Sequence, residues 1–356
     1  MKLRPVLLAA LLAIMLAGLC ACGDDGGGSS PPDRFKETLA EYGLFTDAVA
    51  QTPAAGVVPY QVISSLFADH AVKLRFLFLP AGTTITYDPV EKWGFPEGAI
   101  LVKTFAYPVD LRDPSGARRL LETRLLLHEA SGWSPITYVW NEAQTEARVT
   151  VAGARMPVSF LDRDGAAATL EYRVPNTNQC LGCHGEVGTT NVIGPRTRQL
   201  DRDRDGGSGP ANQIDQLTAL GLFDRTPEPA ADRVHLVDPL GDAPVVDRAR
   251  SYLDANCGHC HNPSATAQST GLRLNVETEV PVDLGVCRLP FSAGEGTGGR
   301  LYDVVPGHPE QSILVFRLES TEPEIKMPEY PSQLVDPAGV ALVTQWIAEM
   351  TPEGCP

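Results

Sequence analysis

Residues 99–140 read AILVKTFAYPVDLRDPSGARRLLETRLLLHEASGWSPITYVW. Three runs, 99–107, 119–129 and 134–140, are separated by the turn signals DPSG and EASG. β-branched and aromatic residues dominate, and parts of each run alternate apolar with polar, which reads as strand. Working outward, VKLRFLFL (72–79) and TTITYD (83–88) precede the three runs, with PAG between them. EARVTVAG (146–153) and ATLEYRV (168–174) follow, separated by DRDG. The expected fold is an antiparallel β-rich domain, sandwich or barrel-like, over 35–175. A short helix is expected ahead of it, over FKETLAEYGLFTDAVA (35–50).

From about 176 the chain changes to loops and short helices. Residues 176–240 are expected to form one cofactor-binding segment and 241–356 a second, mainly α-helical one. Val245, Ala249, Tyr252 and Leu253 fall on one helical face after Pro244. Val343, Trp346, Ile347 and Met350 make a stripe at helical spacing, with Asp336 suited to the cap and Pro337 to the first position.

The chain has 356 residues, a formal net charge of −15 and 43% hydrophobic residues. That composition excludes a wholly disordered or fibrous chain and suits two or three domains. The acidic balance argues against nucleic acid, which needs clustered Lys and Arg.

Lys2 and Arg4 precede an apolar run over 5–19 that is too short for a confident span, so 1–21 reads as a secretory signal. Leu19-Cys20-Ala21-Cys22 fits a lipoprotein box, with Cys22 the lipid site because a small residue precedes it. A Gly/Ser/Asp/Pro-rich tether follows over 22–34. Removal of 1–21 takes away only Lys2 and Arg4, so the charge moves from −15 to −17. The compartment is then oxidising, periplasmic or on the cell-surface side of an outer membrane.

Cys180-Leu-Gly-Cys183-His184 and Cys257-Gly-His-Cys260-His261 share one spacing. Two thiols three residues apart can add to the two vinyl groups on a porphyrin edge, and the adjacent His can reach the iron, so C-x-x-C-H is the pattern of covalent c-type haem. Two haems are the expectation. Zinc held by four thiolates and two C-x-x-C disulfides are the other readings. Met327, 66 residues after His261 and followed by Pro328, is the expected second axial ligand of the second haem. Small cytochrome c domains share this order of helix, C-x-x-C-H, loop, Met-Pro and helix. For the first haem the sixth ligand is open among His128, His235 and Met156, or the position is free.

These residues, with LAEYGLF (39–45), PYQVISSLFADHAVKLRFLFLP (59–80), KWGFPEGAILVKTFAY (92–107), ETRLL (122–126), YVWNEAQTEA (138–147), PNTNQCLGCH (175–184), ANQIDQL (211–217), RARSYLDANCGHCHNP (248–263) and PGHPEQSIL (306–314), carry a resemblance. The chain resembles an uncharacterised bacterial family of exported dihaem c-type cytochromes, often encoded beside a parallel-β-helix protein. The resemblance spans nearly the whole mature chain and implies two covalent haems and electron transfer. It supplies neither a substrate nor a sixth ligand for the first haem, and it lowers Met156 below the two histidines.

Cys287 and Cys355 remain. One disulfide between them is the simplest pairing; two free thiols are the alternative. Asp201-Arg-Asp203-Arg-Asp205-Gly206 begins like a calcium loop but has Asn212 where the bidentate Glu belongs, so a solvated loop is expected. Trp93, Trp133 and Trp140 read as packing residues. The expected function is an exported, lipid-anchored dihaem electron carrier that meets redox proteins, with the membrane reached through the lipid alone. The alternative is a dihaem peroxidase or oxidase using an open sixth site on the first haem. A surface module with structural haems is a third reading.

Overall fold

The three runs of 99–140 do form neighbouring strands. The computed structural model describes residues 35–186, 189–205, 209–291, 293–329 and 332–356. The secretory signal, the tether and Cys22 lie outside the described residues. Before the first helix come β1 (Phe45–Asp47), β2 (Thr52–Pro53), β3 (Val57–Tyr60), β4 (Val72–Phe78), β5 (Ile100–Pro108), β6 (Arg118–Glu129), β7 (Gly132–Trp140), β8 (Ala147–Val149), β9 (Ala154–Leu161) and β10 (Ala167–Val174). Strands β3 to β8 make one antiparallel sheet in sequence order, so short turns can join most neighbours. β9 and β10 pair as a separate hairpin. The sheet stays open, with β3 and β8 at its edges, and does not close into a barrel.

Both faces of the sheet are covered. On one, Phe76, Val102, Leu125, Ile136, Tyr138 and Trp140 pack under the N-terminal Phe35 and Leu39. On the other, the two ends differ. Leu77 and Leu101 pack with Trp93, Leu200 and Ile214. Phe105, Tyr107 and Leu121 pack with Val158 and Tyr172 of the hairpin. A bulge sets this second contact: β6 carries an extra residue, Leu121, between the partners of Phe105 and Ala106. Glu122 consequently reaches the hairpin, where its carboxylate accepts from the Tyr172 hydroxyl at 2.7 Å.

Two local expectations fail. The helix over 35–50 is a single 3-10 turn, Ala40–Tyr42, ended by Gly43 at φ 64°. The Leu39 amide is already bonded to the carbonyl of Ala147, which draws this segment to the sheet edge instead. TTITYD (83–88) is not a strand. Ile85 and Thr86 make only isolated bridges, to Phe223 and Gly94, because they pair with passing loops.

After the hairpin come α1 (Thr177–His184), α2 (Thr197–Leu200), α3 (Gln213–Ala219), α4 (Val245–Leu253), α5 (Ile313–Glu319) and α6 (Pro337–Ala348). The 241–356 region is therefore not mainly helical: three helices stand among long loops. Its turns use glycines at positive φ, such as Gly271 (68°) and Gly285 (90°), which interrupt any longer helix. The helices still share a core, in which Tyr252 and Leu253 of α4 meet Leu342, Val343, Trp346 and Ile347 of α6. Gly339 permits that approach, since a Cβ there would fall 2.1 Å from the Tyr252 oxygen. The expected cap on α6 is absent: Asp336 makes no side-chain cap bond, and its carboxylate meets the Tyr252 hydroxyl instead. Cys287 and Cys355 are joined as a disulfide, Cα to Cα 5.3 Å, which ties the tail after α6 to the loop before α5. No described helix is long and apolar enough to cross a membrane.

Candidate functional site

The first C-x-x-C-H lies on α1. Asn176 caps that helix, its side chain accepting from the Gln179 amide at 2.9 Å while the Gln179 side chain accepts from the Asn176 amide. This reciprocal box fixes where the helix starts. Cys180, Cys183 and His184 then fall within one turn of each other. His184 Nδ1 lies 3.0 Å from the carbonyl of Asn191, so it carries the proton and donates. Burial pushes the His184 pKa down to about 4, with Lys103, His259 and Arg124 adding to the effect. The ring is neutral, and its Nε2 lone pair is available.

The second motif follows α4. The helix widens over Asp254–Gly258, and the amides of Cys260 and His261 both return to the Cys257 carbonyl. Asn256, buried just before the motif, accepts from the Phe67 amide of the β region at 2.7 Å and donates to the Tyr252 carbonyl. Burial pushes the Cys257 thiol up to about 12 and the His261 imidazole down to about 4. His261 Nδ1 lies 3.5 Å from Thr270 Oγ1.

The fold brings the two motifs together. Ligand atoms of Cys183, His259 and Cys260 lie within 4.8 Å of one another. Thr266 Oγ1 donates to the Gly182 carbonyl at 3.1 Å, and Cys260 Sγ lies 3.6 Å from the same oxygen. Hydrogen bonds from Cys183, His259 and Thr266 hold the Cys260 thiol well below its usual pKa, while the bond to Cys260 and burial raise Cys183. All four motif cysteines are free of disulfides. His259 Nδ1 is buried without a hydrogen-bond partner among the described residues.

Beside this junction is a cavity of about 360 Å³, within the range of small-molecule and cofactor pockets. Cys183, Cys257, Cys260, His261 and Met327 reach its wall, with Leu272, Leu274, Ile313, Leu314 and Phe291 as apolar lining. Met327 is held there by α5. Its amide donates to the Arg317 carbonyl at 3.0 Å, and Arg317 Nε donates to the Ile325 carbonyl at 2.8 Å. The neighbouring Lys326 is buried and donates to the Pro328 carbonyl and the Ser332 hydroxyl. Asp303, also on the wall, is pushed up to about 6 by burial, against Arg288 and Arg317.

The donors on this wall suit one covalently attached haem at the second motif, while Cys180 and His184 of the first motif do not line the cavity. The thiols are free to form thioethers, the histidines are neutral, and a soft thioether faces the cavity shared with His261. The remaining candidates lie apart from the cavity wall. His128 stacks on Trp133 at 4.5 Å and meets the Pro96 carbonyl through Nδ1 at 2.9 Å. His235 is exposed, with Nδ1 3.4 Å from the Arg233 carbonyl. Met156 packs against the hairpin core. Asp201 is engaged by Arg233 and Asn212 rather than presented to a cation. Trp93 and Trp140 are buried core.

The role of His259 was not separable in the sequence, because its place inside the second motif also explains it. Comparison with protein-family models, with curated proteins and with solved structures finds no match.

Proposed function

We propose that this chain is an extracytoplasmic dihaem c-type cytochrome that relays electrons between redox partners. One observation carries the reading. Two motifs 77 residues apart in sequence meet with Cys183, His259 and Cys260 in a single cluster, as a relay between two centres requires. Haem iron, when bound, supplies one-electron redox chemistry.

The chain does the rest. Cys180 and Cys183 hold one porphyrin through thioethers, and Cys257 and Cys260 the other. His184 and His261 give Nε2 to the irons, the Asn191 carbonyl fixing the first ring in one tautomer. Met327, on the wall of the cavity that His261 also lines, would give its sulfur to that centre and raise its potential. The cavity's apolar lining excludes water. The resemblance to exported dihaem cytochromes supports the same reading, with Cys22 as lipid anchor and an acidic surface that attracts basic partners.

The cluster also favours one rival, a soft metal ion on Cys183, His259 and Cys260. Pyridine haemochrome assay and intact mass of the exported protein separate the two. Two haems per chain are expected; one or none, with bound zinc instead, overturns the proposal.

A further inference from the structure

Three cations stand in one row across the sheet. Arg75 of β4 pairs with Lys103 of β5, and Lys103 pairs with Arg124 of β6. Cross-strand partners of like charge repel, so such a row favours an anion beside it. Side chains alternate along a strand, which puts Phe105 on the same face as Lys103. The Phe105 ring receives Lys103 Nζ at 5.0 Å and Arg124 Cζ at 4.3 Å from its centroid.

The acids of this face are already engaged. Glu122 takes Arg124 in a two-bond pair, Nε to Oε2 at 2.8 Å and Nη2 to Oε1 at 2.5 Å, and accepts from Tyr172 as well. Asp69 accepts from the amides of Gln333 and Leu334. Among the described residues, Arg75 donates to the Lys73 carbonyl and the Ser65 hydroxyl, both at 3.4 Å. Lys103 has no carboxylate within ion-pair distance among the described residues. Burial first, then Arg75, Arg124 and Lys73, push the Lys103 amine well below its ordinary pKa, with the Cys183 thiol opposing, so an anion beside it would restore its charge. Burial keeps the Tyr60 phenol beside Arg75 protonated. The row lies near the first motif, since α1 packs against β7, the neighbour of β6, and Lys103 and Arg124 both act on Cys183 and His184.

We propose that Arg75, Lys103 and Arg124 form a binding site for a carboxylate or small oxyanion beside the first C-x-x-C-H motif, with Lys103 as its central cation. A haem propionate and a free oxyanion share the required chemistry. The first source rests on the proposed function; the cationic row itself does not.

The test uses the whole exported protein and its Lys103→Met and Lys103→Arg variants, with haem content measured first. Arg75→Met is run beside them, so that one poorly folding variant does not remove the readout. Inorganic phosphate is titrated calorimetrically at low ionic strength, and the midpoint potentials of both centres are followed from pH 5 to 8. If a propionate is the occupant, Lys103→Met changes the potential and pH profile of the first centre alone, Lys103→Arg restores them, and phosphate does not bind. If a free oxyanion is the occupant, phosphate binds the native protein and binds Lys103→Met at least tenfold more weakly. Two retained haems with unchanged potentials, and phosphate binding absent or equal in all variants, overturn the site. A native protein without haem overturns the relay instead and leaves the phosphate titration to decide the site.

Discussion

Thr266 Oγ1 donates a hydrogen bond to the carbonyl oxygen of Gly182 across 3.1 Å, joining the loop after one C-x-x-C-H motif to the interior of the other. The bond crosses 84 residues of sequence and lies at the cluster of Cys183, His259 and Cys260. Thr266→Val keeps the shape and removes the donor. It should cost about 0.5–1 kcal/mol of stability, the lower part of the range for a solvent-accessible bond. If the chain carries the two proposed haems, magnetic coupling between their irons, read by electron paramagnetic resonance, should weaken as the junction loosens. An unchanged spectrum would show that the bond does not set their spacing.

Met327 is tested by its own spectroscopic signature. Met327→Ala should abolish the Met-to-iron charge-transfer band of one centre and lower that centre's potential, leaving the other unchanged. Because Arg317 holds the Met327 backbone, the cavity wall should survive the substitution. A band that persists sinks the ligand assignment.

Asp303 supplies a pH dependence. Its folded pKa is raised to about 6 by burial. A carboxyl raised in this way favours the folded state below its unfolded pKa, and that contribution is lost as pH rises through about 6. Between pH 4 and 7 the loss is on the order of 1–2 kcal/mol after allowance for screening by solvent. With the proposed haem on His261, the new negative charge on the cavity wall would favour ferric iron, and that centre's midpoint should fall as pH passes through about 6. Asp303→Asn should flatten both profiles. Denaturant titrations and potentiometry at pH 4, 6 and 7 check them together.

Much of this was legible in the sequence, and the limits have physical causes. β5, β6 and β7 were readable because 99–140 packs apolar residues on both faces of a central sheet, so propensity and burial agree. The 35–50 helix was misread because its apolar spacing fits a helix as well as a strap. Only the Leu39 contact with Ala147 across the sheet edge decides between them. The two motifs announce their own chemistry, but their meeting does not, since no local pattern encodes contact between Gly182 and Thr266. Lys103 looked like an ordinary alternating polar residue of a strand. Its place between two cations depends on Arg75 and Arg124 arriving on either side.

The disulfide between Cys287 and Cys355 closes a long loop, at a sequence separation of 68. The chain-entropy model gives about 4 kcal/mol for a loop of that size, less any native strain. Cys287→Ser with Cys355→Ser should therefore lower the urea-unfolding free energy by about 2–4 kcal/mol. A fall below about 1 kcal/mol would mean that the tail after α6 is held mainly by packing.

Asn256 gives the sharpest test of how the β region is coupled to the second motif. Its side chain is buried and bonded at both its oxygen and its nitrogen, accepting from the Phe67 amide at 2.7 Å and donating to the Tyr252 carbonyl at 3.0 Å. Asn256→Ala leaves the Phe67 amide without its acceptor, which should cost about 1–3 kcal/mol. Asn256→Asp keeps the acceptor and loses the donor, so it should recover part of the loss. It also places a new carboxylate one residue from Cys257, which should lower the potential of the haem proposed there. If the β region merely sits beside the motif, both substitutions should destabilise equally and leave the potential where it was. Unequal stability losses with a downward shift for Asn256→Asp alone would show that this one side chain holds the β region to the redox site.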